Sequence, residues 1–144
     1  MTSCATYDDV NIVMRLYEMR RESRMRDARR WFVQNFKAKT LDEQAKLCPV
    51  GSDENEYFRM VVTYWDMAAS FVTAGVLQRD IFFDSNREML LVWERLKPLV
   101  EEYRKKTEDP EAWGNMETVA GPFQEWMEAR GPKCYSAFVK RVAG

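Results

Sequence analysis

Seven arginines carry the most chemical potential in this chain. Arg15, Arg20, Arg21, Arg24, Arg26, Arg29 and Arg30 fall within sixteen positions, with Lys37 and Lys39 close behind. A basic helix with Trp31 and Phe32 beside it has the charge and the rings to track phosphates. The same run also reads as an ion-paired, solvated face, with Glu22 and Arg26 at the favourable i, i+4 spacing. Residues 1–39 hold nine Lys or Arg against five Asp or Glu, whereas the remainder holds thirteen against eighteen. The excess is therefore local, and the net charge of −1 gives no general pull toward nucleic acid or an anionic membrane. Arg20, Arg21, Arg24, Arg26 and Arg30 are the candidate partner-binding residues. A protein partner or a second copy of the chain is the expected occupant, with nucleic acid as the alternative.

Asp66 is the other conspicuous residue, a carboxylate between Trp65 and Met67 in an otherwise apolar helical stretch. A buried carboxylate needs a partner, or it takes up a proton. Arg29 flanks the apolar stripe of its own helix and is the expected partner. Arg29 and Asp66 thus form a candidate buried pair or, with Tyr64 and Trp65 at the wall, a candidate pocket. A lone carboxylate without a second acid is a weak catalytic signal.

Several chemistries are closed. The chain has no histidine, so Ser-His and Cys-His nucleophiles, imidazole acid–base catalysis and His metal ligands are absent. Asp80, Asp84, Glu88, Glu94, Glu101 and Glu102 invite a di-metal carboxylate reading, but the bundle motif for such sites requires Glu-x-x-His. Cys4, Cys48 and Cys134 are odd in number and lack the short spacing of a zinc site or disulfide framework. No catalytic residue, metal or cofactor is expected, and the protein is read as more a binding module than an enzyme. Free thiols suit a reducing cytoplasm. The first residues lack a signal-peptide apolar stretch, and the longest apolar run, Met89 to Trp93, is far below the roughly 20 residues of a membrane span.

The elements that must position these groups are helical. Apolar residues recur at three and four positions, and no useful period-two pattern occurs. Thr6 and Asp9 form a capping box for a first helix with Val10, Val13, Leu16 and Tyr17 on its inner face. Ser23 is a candidate cap for a second stripe carrying Met25, Ala28, Phe32 and Phe36, so residues 7–37 read either as one long helix or, favoured as more compact, as two with a corner near Ser23. Thr40 caps a short helix that stops before Pro49. Ser52 or Asp53 opens a central helix, apolar on most sides, that stops at Gly75. Val76 to Phe83 reads as a turn, and Asp84 or Ser85 as the cap of a helix running to about Lys106, kinked at Pro98. Asp109-Pro110 reads as the start of the next segment, and Gly121-Pro122 and Gly131-Pro132 as breaks before two short final helices. The nine Met and nineteen aromatic residues read as core. The expected fold is all-α: one domain over residues 1–144, a bundle of five to seven helices with short connections.

The stretch from Tyr64 to Leu77, running on to Arg79-Asp80, Val92-Trp93-Glu94 and Leu96-Lys97-Pro98-Leu99, resembles a bacterial family of small helical proteins of unknown function. Its pattern is an aromatic-acid helix ending in Gly-aliphatic-Leu, then a Trp-bearing helix with a proline near its middle. Arg26-Asp27-Ala28-Arg29-Arg30 resembles that family's arginine-bearing helix. The resemblance covers residues 10–107 and implies an all-α fold. It carries no established activity and no functional residues, and residues 108–144 lie outside it.

Overall fold

The computed structural model describes residues 4–143, and every regular element among them is helical. The order is α1 (Tyr7–Arg20), α2 (Ser23–Asn35), α3 (Leu41–Leu47), α4 (Asp53–Thr73), α5 (Arg79–Ser85), α6 (Glu88–Leu96), α7 (Val100–Thr107), α8 (Gly114–Arg130) and α9 (Cys134–Val142). A single 3-10 turn at Lys97–Leu99 joins α6 to α7, so the two run on as one helix interrupted at Pro98. The described residues thus hold eight helices, more than the five to seven expected.

Most boundaries follow local chemistry. Thr6 and Asp9 form the expected capping box. The corner between α1 and α2 is also present, although Glu22 and not Ser23 caps α2: its carboxylate accepts from the Arg24 and Met25 N–H groups at 3.0 Å each. Thr40 and Ser52 cap α3 and α4, and Gly75 ends the α4 region at φ 77°, where a β-carbon would be strained. Pro98 lies in the 3-10 turn, since it has no N–H for an α-helical bond.

Three expectations fail, each for a tertiary reason. The segment read as a turn contains α5, capped by the Gln78 side chain on the Ile81 N–H at 2.8 Å. Its Phe82 and Phe83 are buried against Phe123, so packing supports a helix too short to announce itself. Asp84 and Ser85 therefore end α5 and cap nothing; α6 begins only at Glu88, without a side-chain cap. Asp109 accepts from the Glu111 N–H in a local turn, and Trp113 takes a left-handed conformation (φ 59°), delaying α8 to Gly114. Trp113 stacks on Tyr103 with ring centroids 4.1 Å apart, which offsets that strain. Finally, α8 runs straight through Gly121-Pro122. An interior proline costs about 3 kcal/mol; the burial of Met116, Val119, Phe123 and Met127 along the same helix offsets it.

α4 is the middle of the molecule, packed chiefly between α2 and α8. Its Trp65 is fully buried, as are Phe32 and Phe36 of the α2 side. Phe36 sits 4.9 Å from both Phe32 and Phe58, so aromatic rings join α2 to α4. One polar residue reaches into this core from α6. Arg95, only 6% exposed, donates through Nη1 to the Phe36 carbonyl at 2.7 Å and the Phe32 carbonyl at 3.3 Å, and through Nη2 to the Val33 carbonyl at 3.2 Å. Its Nε donates to the Val142 carbonyl of α9. These carbonyls lie at the C-terminal ends of two helices, where the negative end of the helix dipole falls; that of Phe32 also accepts the Phe36 N–H at 3.0 Å. Burial pulls the guanidinium below its ordinary value.

Two outcomes are expected. Arg95→Ala removes the cation and takes the side-chain donor from all four carbonyls, and should cost about 3 kcal/mol in urea unfolding. Acid should loosen the start of α1 and the α1–α2 corner first. Asp9 is held below the usual carboxylate range by the Thr6 and Gln78 N–H groups, and Glu22 by those of Arg24 and Met25. Because both folded values lie below the unfolded ones, their contribution is complete only above about pH 5 and is lost as pH falls through the folded values. Amide hydrogen exchange of α1 should accelerate there, and Asp9→Asn with Glu22→Gln should flatten the response.

Candidate functional site

The arginine cluster divides. Arg20, at the end of α1, is 7% exposed and turned into the core, where its Nη1 donates to Asn86 Oδ1 at 2.7 Å and Tyr64 Oη at 3.2 Å. Its guanidinium lies 5.2 Å from the Trp65 ring centre. The Tyr64 hydroxyl in turn donates to the Leu16 carbonyl at 2.6 Å, and Asn86 Nδ2 to the Phe82 carbonyl at 2.9 Å. As a partner-binding residue, Arg20 is thus a correction: it is consumed in joining α1, α4 and α5. Helical periodicity fails there because the long apolar stem of arginine can occupy a core position while its head finds polar partners.

The expected Arg29–Asp66 pair does not form either. Arg29 is bidentate on Glu88, at 2.7 Å through Nε and 3.3 Å through Nη2, and its Nη1 reaches the Arg20 carbonyl at 3.1 Å. Trp65 Nε1 donates to the same Glu88 carboxylate at 3.1 Å. Asp66 faces the opposite neighbour of α4. It accepts from the Met116 N–H at 3.1 Å and from Asn115 Nδ2 at 3.2 Å. Those groups belong to the first turn of α8, whose own N-cap, Trp113, offers no side-chain acceptor. Asp66 is therefore a helix cap supplied from another helix. The open depression beside it, about 390 Å³ and lined in part by Val62, Met67, Ser70 and Trp113, meets a carboxylate already engaged through both oxygens.

The other arginines lie nearer the surface. Arg24 bridges Asp53 at 3.4 Å and Glu56 at 3.2 Å over the Tyr57 ring, and Glu56 raises it above its ordinary value. Arg30 stands 3.7 Å from Asp27. Arg15, Arg21 and Arg26 are exposed. The exposed cations thus come from two helices that meet at a corner.

Among the described residues, no cluster of three or more His, Cys, Asp or Glu is placed to hold a metal. The three cysteines are free, and burial pushes the Cys48 thiol up to about 11. Tyr135 is raised by burial and by its hydrogen bond to Glu94, away from any role as a base at neutral pH. No described helix is long and apolar enough to cross a membrane.

The feature that sequence reasoning missed is on α1. Its buried side is Asp9, Ile12, Val13, Leu16 and Arg20, two of them charged. Val10 and Tyr17, expected inside, point outward. Tyr7 (79% exposed), Val10 (42%), Met14 (50%) and Tyr17 (45%) form a stripe at spacings of three, four and three. Tyr17 is braced, with Arg21 5.4 Å and Arg20 5.8 Å from its ring centre. The spacing of residues 7, 10, 14 and 17 was visible in the sequence.

The molecule is an all-helical protein whose buried charges are spent on internal joints and whose unspent apolar surface lies on its first helix. The chain belongs to the family described as domain of unknown function DUF4760, whose model matches residues 5–126. The match extends beyond the resembling stretch at both ends and takes in most of α8. No curated protein and no solved structure matches the chain.

Asp66→Ala should leave the fold intact and lower stability by about 1–2 kcal/mol, the usual cost of losing a helix cap. Urea unfolding checks this. A loss near zero would refute the capping role.

Proposed function

We propose that this chain is a non-catalytic helical module that docks a protein, another species or a second copy, through the outward face of α1. One observation carries the reading. Five of the eight large apolar residues found exposed lie on that one helix, and four of them fall in a single stripe. Isolated exposed apolar residues need no explanation, whereas a contiguous row on one helix is the usual geometry of helix docking. The internal use of Arg20, Arg29, Glu88 and Asp66 supports the same reading, because the groups that could have served a reaction are occupied.

Nucleic-acid binding is less well supported. It loses Arg20 to the core, Arg29 to Glu88 and Arg24 to an acidic pair, and it retains cations on two differently directed helices. A small-molecule site at Asp66 would have to displace the α8 cap. We read the compartment as a reducing bacterial cytoplasm, on the free thiols and the family resemblance.

The test is affinity capture from cells of the source organism with the wild-type chain and a Val10→Glu, Met14→Glu double variant. Both positions are exposed, so stability should change by less than about 0.5 kcal/mol. Recovery of protein by the wild type, either a partner or more of the same chain, should be lost in the variant. Identical recovery by both would refute the reading, as would salt-sensitive binding of a generic duplex at physiological ionic strength that the variant retains.

A further inference from the structure

We propose that the depression between α2 and the start of α6 binds a phosphoryl group, held by the guanidinium groups of Arg26, Arg29 and Arg30. The site is independent of the α1 face, and its failure would leave the docking reading as it stands. The depression measures about 280 Å³ and is lined by Arg26, Arg29, Arg30, Val33, Gln34 and Glu88. At about 100° per residue, the five α2 residues fall within roughly 140° of the helix circumference. One face of one helix thus gathers three arginines. Sites that take whole small molecules span roughly 300–1,000 Å³, so this one suits the head group of a ligand.

Arg29 is the fixed member of the three. Glu88 holds its Nε at 2.7 Å and its Nη2 at 3.3 Å, and the Arg20 carbonyl holds its Nη1 at 3.1 Å. A guanidinium held through three of its five donors is oriented before any ligand arrives. Arg26 and Arg30 are exposed. Among the described residues Arg26 enters no ion pair, and Glu22, which feels its charge, is itself committed to capping α2. Arg30 meets only Asp27, exposed like itself, at 3.7 Å, a contact worth little in water. The lining therefore sets three positive charges against the one of Glu88, which Arg29 and the Trp65 N–H already engage. Counting Asp27 at the rim, the site still carries an excess of +1.

Geometry selects phosphoryl over carboxylate. A carboxylate has two coplanar oxygens and is satisfied by one guanidinium, as Glu88 is by Arg29. A phosphate monoester presents three acceptor oxygens and a charge of about −1.5 to −2 at pH 7, so it can meet two or three guanidinium forks together. Arginine clusters recur as the recognition element for such groups. Val33 and Gln34 set an apolar surface and an amide beside the cations, contacts for the carbon and hydroxyl groups of an ester. A nucleic-acid duplex is the less suited source, because it needs cations spread along a track and these converge on one depression. The site is open to water, so the association is weak and falls with salt.

NMR titration of the isotope-labelled full chain with inorganic phosphate, and separately with glycerol phosphate, tests this at an ionic strength held constant with sodium chloride. Backbone amides of residues 26–34 and the Nε–H signals of Arg26 and Arg30 should shift saturably, with a midpoint of about 10 mM or below. Acetate should bind at least about tenfold more weakly. Arg26→Gln with Arg30→Gln should weaken phosphate binding by about tenfold or more. Arg15→Gln with Arg21→Gln removes as many exposed cations outside the depression and should change it by less than about twofold. Both variants should keep the signal dispersion of the wild type, which separates loss of binding from loss of fold. Tighter binding of the ester assigns the site to a phosphorylated small molecule, and tighter binding of inorganic phosphate assigns it to the free ion. No saturable shift with either would overturn the proposal, as would acetate binding equally well or equal weakening by the Arg15, Arg21 variant. A short DNA duplex that shifts the same signals at a lower phosphate concentration than both probes would overturn the small-ligand assignment in favour of nucleic acid.

Discussion

Arg95 is the constraint on which the arrangement of helices depends. Three helices end or pass at one point, and each helix C-terminus brings carbonyls that its own backbone cannot satisfy. Placed in an apolar interior, such carbonyls would cost more than the packing around them returns. A guanidinium has five donors in a plane and no acceptor, so one side chain can serve carbonyls of α2 and α9 together. Its charge is compensated by the negative ends of two helices with no carboxylate involved. The end of the chain is thereby tied to α2, and α2 is tied through Phe36 and Phe58 to the central helix.

The same economy recurs at the other joints. Arg20, Tyr64 and Asn86 link α1, α4 and the end of α5, and Glu88 gathers Arg29 and Trp65. Asp66 closes the first turn of α8. In each case a polar group from one helix completes an unfinished group on another. No described buried side-chain polar atom lacks a hydrogen-bond partner. Satisfied networks of this kind specify one packing among the many that an apolar core would tolerate. They also leave those groups unavailable for chemistry, which is why the remaining functional potential lies in surface shape.

That surface is α1. Because its inward side is shared by Asp9 and Arg20, the helix is held largely by polar contacts at its two ends and by Leu16 between them. A helix anchored in that way is free to present its second apolar face outward. Membership of the DUF4760 family assigns no activity, so the reading of α1 as a docking helix rests on its exposure and spacing alone.

The sequence by itself determined the all-helical class, the caps at Thr6 and Thr40, the start of α4 at Ser52 or Asp53 and its central position, with a corner near Ser23 favoured over one long helix. Each of these depends on interactions within four residues or on an apolar period, and both are written along the chain. The absence of histidine chemistry was equally plain. Only the tertiary structure decided that Arg20 and Arg95 lie inside, that Arg29 pairs with Glu88 and that Asp66 caps α8. It also decided that α5 exists and that α8 continues through Pro122. In these cases the partner stands tens of positions away, at separations of 66 residues for Arg20 and Asn86 and 50 for Asp66 and Met116. A side chain's type reveals that it needs a partner. Which partner it finds depends on how the helices pack, and that is why the face of α1 left for docking could not be chosen from the sequence alone.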